Sequence, residues 1–115
     1  MKRGDLITVA AGGAFTGKPR PAVVVQADVF LLDSITVCLI TTDRLDSVLF
    51  RVLVEPDERN RLRHASWIMA DKIMTLRRDR VGRVFGSLNE SDMQRLGQAI
   101  ILFLRLGAML PSPAA

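Results

Sequence analysis

With 115 residues, 49% of them apolar and 24% charged, the chain can bury one core but not two, and it is too apolar for a disordered tail. Its single cysteine, Cys38, excludes an internal disulfide, and no apolar run approaches the roughly eighteen residues that cross a bilayer, so the chain reads as one cytoplasmic domain without a metal cluster. The net charge of +4 points to anionic partners, while five phenylalanines, one tryptophan and no tyrosine leave little for extended base stacking.

Met1-Lys2-Arg3-Gly4-Asp5 leads, with no secretion segment, into a first strand over 4–10, where Leu6, Thr8 and Ala10 alternate against Ile7 and Val9. Residues 11–19 form a loop containing Gly12, Gly13 and Gly17. A strand follows it rather than a helix, which rejects a glycine-rich nucleotide cradle. That second strand spans 20–27. Pro21 fixes its own φ and biases Arg20 toward extended geometry, so the guanidinium sits on a stiff mount beside the loop. The unbroken Val23-Val24-Val25 run predicts burial on both faces.

After a turn near Asp33, residues 34–42 form a third strand, with Ile35, Val37, Leu39 and Thr41 on one face and Thr36, Cys38, Ile40 and Thr42 on the other. Cys38 then reads as packing. A fourth strand over 47–54 sets Val48, Phe50, Val52 and Val54 against Leu49, Arg51 and Leu53, and Pro56 closes it. A polar connection over 57–64 precedes a long strand over 66–76, and 81–85 adds a short one with Gly82 and Gly86 allowing bends. Between Glu58 and Arg83, eight basic residues face three acidic ones, a window suited to phosphate or carboxylate partners. Asn89-Glu90-Ser91-Asp92 supplies an N-cap and an acidic first turn, and Met93, Leu96, Ile100 and Leu104 recur at helical spacing before Gly107. The apolar surface over 99–104 predicts contact with the sheet or a second subunit. A loose tail is expected over 108–115, after a single domain over 1–107. The fold class is α+β, a small, strongly bent antiparallel barrel or half-barrel with a C-terminal helix.

Five segments in order carry a family resemblance: Arg3-Gly4-Asp5-Leu6; 17–25 with Gly17-Lys18-Pro19-Arg20-Pro21; Leu39-Ile40-Thr41-Thr42; 66–75 with Trp67 and Asp71-Lys72; and 82–88. Together they resemble the MazF/PemK (Kid) toxins of bacterial toxin–antitoxin systems over 2–107. The resemblance implies an SH3-like barrel, a homodimer, an acidic antitoxin as partner, and cleavage of single-stranded RNA that needs no metal or other cofactor. In the MazF branch the catalytic pair falls on Arg20 and Thr41. The Kid branch uses an arginine and an aspartate two apart with a loop histidine; here Asp71 remains, Met69 takes the arginine's place and residues 11–19 contain no histidine. Phe15 and Thr16 stand where some relatives carry an acidic residue, so no general base is inherited.

An arginine suits this chemistry because it is always charged and presents a planar fork to phosphoryl oxygens. Thr41 would hold a nonbridging oxygen or orient the 2′-OH. RNA contacts are assigned to Thr16, Gly17, Lys18, Thr42, Asp71, Lys72 and Arg77. Asp71 is open between a base edge, positioning of Arg20 and a turn cap. The lone His64 excludes a two-histidine mechanism and leaves only a single-base role, and Trp67 reads as core. Two rivals are a noncatalytic nucleic-acid-binding barrel and a CcdB-type gyrase poison, although the chain lacks the Trp-Gly-Ile ending of the latter.

Overall fold

The computed structural model describes residues 1–10, 18–44 and 49–109. Its strands are β1 (Asp5–Val9), β2 (Arg20–Val24), β3 (Ser34–Thr41), β4 (Arg51–Val54), β5 (Ser66–Arg77) and β6 (Val81–Ser87), followed by helix α1 (Glu90–Leu104). They form one antiparallel sheet in the order β4-β5-β3-β2-β1-β6. The sheet is barrel-like but not closed, with β4 and β6 as its edges. Its bending is concentrated at register shifts. Cys38 pairs with Ile73 but Ile40 with Ile68, so β5 advances further than β3 between those pairs and bulges over 69–72. Two further shifts interrupt the β1–β6 ladder.

Period-two alternation sorts the side chains into two cores. Leu6, Val23, Cys38, Ile40, Val52, Val54 and Ile68 meet Met93, Leu96 and Ala99 of α1 on one face. Ile7, Val9, Ala22, Val24, Ile35, Val37 and Leu39 cluster on the other. The valine run is divided as its lack of alternation predicts: Val23 faces the first core, Val24 the second, and Val25 packs against the first. Asn89 caps α1 by accepting from the Asp92 amide at 2.7 Å. The helix stops at Arg105, which adopts the left-handed conformation at φ 57. Removing Leu96, fully buried on α1, to alanine would cost about 2–5 kcal/mol.

Several boundaries differ from the sequence reading. β2 ends at Val24 rather than at 27, because Gln26 turns its side chain into the connection, donating to the Phe30 carbonyl at 2.8 Å and accepting from the Thr36 amide at 3.2 Å. β4 begins at Arg51, with 49–50 in a turn; 45–48 lie outside the described residues. β6 is a full edge strand whose two register shifts against β1 fall beside Gly86 and Gly82, as the expected bends require, and the glycines also permit close approach. A Cβ on Gly86 would stand 2.5 Å from the Asn60 carbonyl oxygen. The 11–17 part of the predicted loop and the 110–115 part of the predicted tail also lie outside the described residues.

Candidate functional site

β2 and β3 pair with Ala22 opposite Leu39, Val23 opposite Cys38 and Val24 opposite Val37. Carried two residues further, the same register sets Arg20 opposite Thr41. Both fall on the face of the second core, since Ala22, Val24, Val37 and Leu39 belong to it. Arg20 also stands opposite Val9 on β1, and its Nε is buried. Thr41 is half-buried, and its Oγ1 accepts from the Asp43 amide at 3.0 Å. One lone pair is thereby engaged, and the hydroxyl keeps its proton to donate.

Trp67 faces Thr41 across β3–β5 and Leu53 across β4–β5. It is half-buried and belongs to neither core, contrary to the expectation that it is a core residue. Directly opposed residues hold their Cβ atoms about 5 Å apart, so an indole lies within reach of anything that touches the Thr41 hydroxyl.

Asp71 sits on the β5 bulge. Arg51 on β4 grips it with both ends of its guanidinium, Nε to Oδ1 at 3.1 Å and Nη2 to Oδ2 at 2.9 Å. The two side chains are only 13% and 15% exposed. Hydrogen bonding from Arg51 holds the Asp71 carboxyl below its usual range, against the opposing effect of burial. Arg51 stands opposite Met69, so an arginine lies on the neighbouring strand beside that position. Sequence reasoning assigned Arg51 no role; the available signal was a lone charge in an otherwise apolar alternation. Cys38 is fully buried, as its packing role requires, and burial pushes its thiol up to about 12, with the Asp71 charge adding to the rise.

The other sequence-predicted residues divide by position. Lys18 and Thr42 are exposed beside Arg20 and Thr41, and Lys72 is exposed next to Asp71 on the bulge. Thr16 and Gly17 lie outside the described residues. Arg77 pairs in register with Ser34, at the opposite end of β3 from Thr41, roughly 23 Å away at ~3.3 Å per residue. The fold does not bring it to the others. His64 lines a cavity of about 310 Å³ with Pro21 and Thr42, on the opposite face of the strands from Arg20 and Thr41.

Residues 2–104 match the family model described as PemK-like, MazF-like toxin of type II toxin–antitoxin system. A curated relative from Mycolicibacterium smegmatis, described as a probable endoribonuclease MazF, is 42% identical over 90% of this chain and 96% of its own. Among solved structures, a mycobacterial endoribonuclease in complex with its cognate antitoxin superposes with a TM-score of 0.78 at 21% identity, covering 98% of this chain and 99% of that one. The Mycobacterium tuberculosis toxin MazF-mt6 superposes at 0.75 with 23% identity, over 88% and 96% of the two chains. These structural likenesses speak to the fold.

Proposed function

The chain belongs to the PemK-like, MazF-like toxin family of type II toxin–antitoxin systems, and from that premise we propose that it is a toxin that cleaves single-stranded RNA. The observation that supports the reading is the β2–β3 register, which, carried two residues further, brings the stiffly mounted Arg20 opposite Thr41, a hydroxyl that accepts from the Asp43 amide and keeps its own proton to donate. In the reaction the ribose 2′-oxygen forms a bond to the adjacent phosphorus and the 5′-oxygen leaves with a proton. The products carry a 2′,3′-cyclic phosphate and a 5′-OH. Arg20 holds the nonbridging oxygens as charge gathers on them, and Thr41 donates to one of those oxygens or orients the 2′-OH. The half-buried Trp67 offers a face for one flanking base. Lys18, Thr42 and Lys72, with Thr16 and Gly17 beyond the described stretch, contact the strand around the reacting phosphate. The Arg51–Asp71 pair fixes the bulge beside it, with Asp71 held for structure or for a base edge.

A second copy of the chain completes the groove. Leu102 (54% exposed), Leu104, Leu53 and Leu49 leave an apolar surface around the end of α1 and β4 that suits a homodimer. The antitoxin would be an acidic segment that occupies the groove in place of RNA. No helix among the described residues is long and apolar enough to cross a membrane, and the site of action is the cytoplasm, where the RNA is. Purified protein incubated with mixed RNA in EDTA tests the reading. New RNA ends are expected, and RNA left intact would reject the catalytic assignment in favour of a noncatalytic RNA-binding barrel.

A further inference from the structure

The cavity that opens beside Pro21 and Thr42 also includes Arg61, Arg63, His64 and Arg83. A second cavity, of about 490 Å³, shares Arg61, Arg83 and Phe85 with it and continues to Arg59, Lys2 and Arg3. The two share a wall at the Thr41 end of the sheet: the first touches Pro21 and Thr42, one residue from the Arg20–Thr41 pair but on the other face of those strands, and the second runs along β6 to the N-terminus. Among the described residues, none of these six Lys and Arg side chains forms an ion pair. The one carboxylate in the lining, Asp5, is buried and accepts from the Lys2 backbone amide at 2.9 Å.

The loop that carries the arginines is a built structure. Asn60 is 1% exposed, and its side chain accepts from the Asp57 and Leu62 amides and donates to the Glu55 carbonyl. Ser87 donates its amide to the Arg59 carbonyl at 3.1 Å, and the bare Cα of Gly86 lets the loop lie against β6. The side chains of Arg61, Arg63 and Arg83 therefore stand exposed on a fixed backbone, and little ordering is needed to meet a row of charges.

We propose that these adjoining cavities form a phosphate-backbone track for the RNA strand that flanks the cleavage point, separate from the residues that hold the reacting phosphate. The inference rests on the ribonuclease reading. A flexible polyanion with a charge at every nucleotide matches a row of basic side chains without ion pairs, and a strand leaving the reacting pair would reach it around the strand ends at Pro21 and Thr42. An acidic peptide competes for the same cations, but continuity with Thr42 and Pro21 favours the substrate strand. Such contacts set affinity and salt dependence rather than sequence choice.

The test uses the full chain and an Arg61→Gln/Arg63→Gln/Arg83→Gln variant. Probes are uncleavable 2′-O-methyl polyuridine of about 24 and about four nucleotides, with a polyglutamate peptide as comparison, titrated over a range of salt. The longer strand should bind the variant with a log–log salt slope lower by about 2, and about 100-fold more weakly near 0.1 M salt, while the short strand shows no change. An unchanged slope for the longer strand overturns the track, and an arginine-dependent loss confined to polyglutamate marks a protein-docking surface instead. If the triple variant fails to fold, Arg63→Glu alone should lower the slope by about 1, and an unchanged slope there overturns the track equally. Cleavage of mixed RNA by the wild-type chain is read in parallel. Cleavage with an unchanged slope overturns the track alone, and a lowered slope without cleavage overturns the ribonuclease reading alone.

Discussion

Arginines stand near both ends of β5, and the fold gives them different surroundings. At the Ser34 end, Arg77 meets Asp79 at 2.8 Å with both side chains open to water, 81% and 58% exposed, and Arg78 donates to the Leu32 carbonyl. At the other end, Arg51 is sunk to 13% exposure and locked to Asp71 from across the strand. Arg20 lies two strands beyond β5 with its Nε buried, in register with Thr41. An exposed pair in water contributes at most about 1 kcal/mol, while a charge on a partly buried, fixed mount is less screened by solvent. Clustering in the sequence does not separate these cases. Burial and strand register do.

The largest effect that separates the two ends is on cleavage. Arg20→Ala should lower the RNA cleavage rate about 10³-fold with an unchanged circular dichroism spectrum. Normal activity in that variant would move the site elsewhere. Thr41→Val keeps the β-branched shape and removes the donor, and a loss of about 10²-fold in kcat is expected. A rate within twofold of wild type would reduce Thr41 to a strand residue.

Asp71→Asn sharpens the same contrast through stability. It leaves the mostly buried Arg51 without its counter-charge and should cost about 2–3 kcal/mol, read from urea unfolding. The sign of the pH effect follows from the lowered carboxyl of the folded state. Its contribution is fully present above the ordinary carboxylate range and fades as the pH falls through the depressed folded value. The wild type should therefore lose stability on the acid side more steeply than Asp71→Asn, and parallel acid limbs would show that the ion pair adds nothing. The smallest effect belongs to the far end. Arg77→Ala should change stability by less than about 0.5 kcal/mol and leave cleavage untouched, so a clear loss of activity would extend the site along the whole sheet.

The strands and the helix were legible in the sequence because alternation and capping are local. The Val23-Val24-Val25 run and the Ile35 to Ile40 alternation divide between the two cores as their spacing requires. The Arg20–Thr41 opposition was reached through family resemblance, and it emerges from register only once β2 and β3 are paired. What escaped the sequence depends on contacts between distant strands. Arg51 reaches Asp71 diagonally from its place opposite Met69, a contact that exists only once β4 and β5 are paired. Trp67 looked like core by composition, yet its place beside Thr41 and Leu53 keeps it half-open. Gly82 and Gly86 read as bends, and the β1–β6 register slips beside both; that they also make room for the Thr8 side chain and the Asn60 carbonyl is a tertiary demand no local pattern shows.

The chemistry at Arg20 and Thr41 is tested most directly by the termini of the cut RNA, determined by mass spectrometry after digestion in EDTA. Attack by the 2′-oxygen requires every upstream fragment to end in a 2′,3′-cyclic phosphate, or its hydrolysis product, and every downstream fragment to begin with a 5′-OH. Fragments ending in a 3′-OH and beginning with a 5′-phosphate would contradict that mechanism.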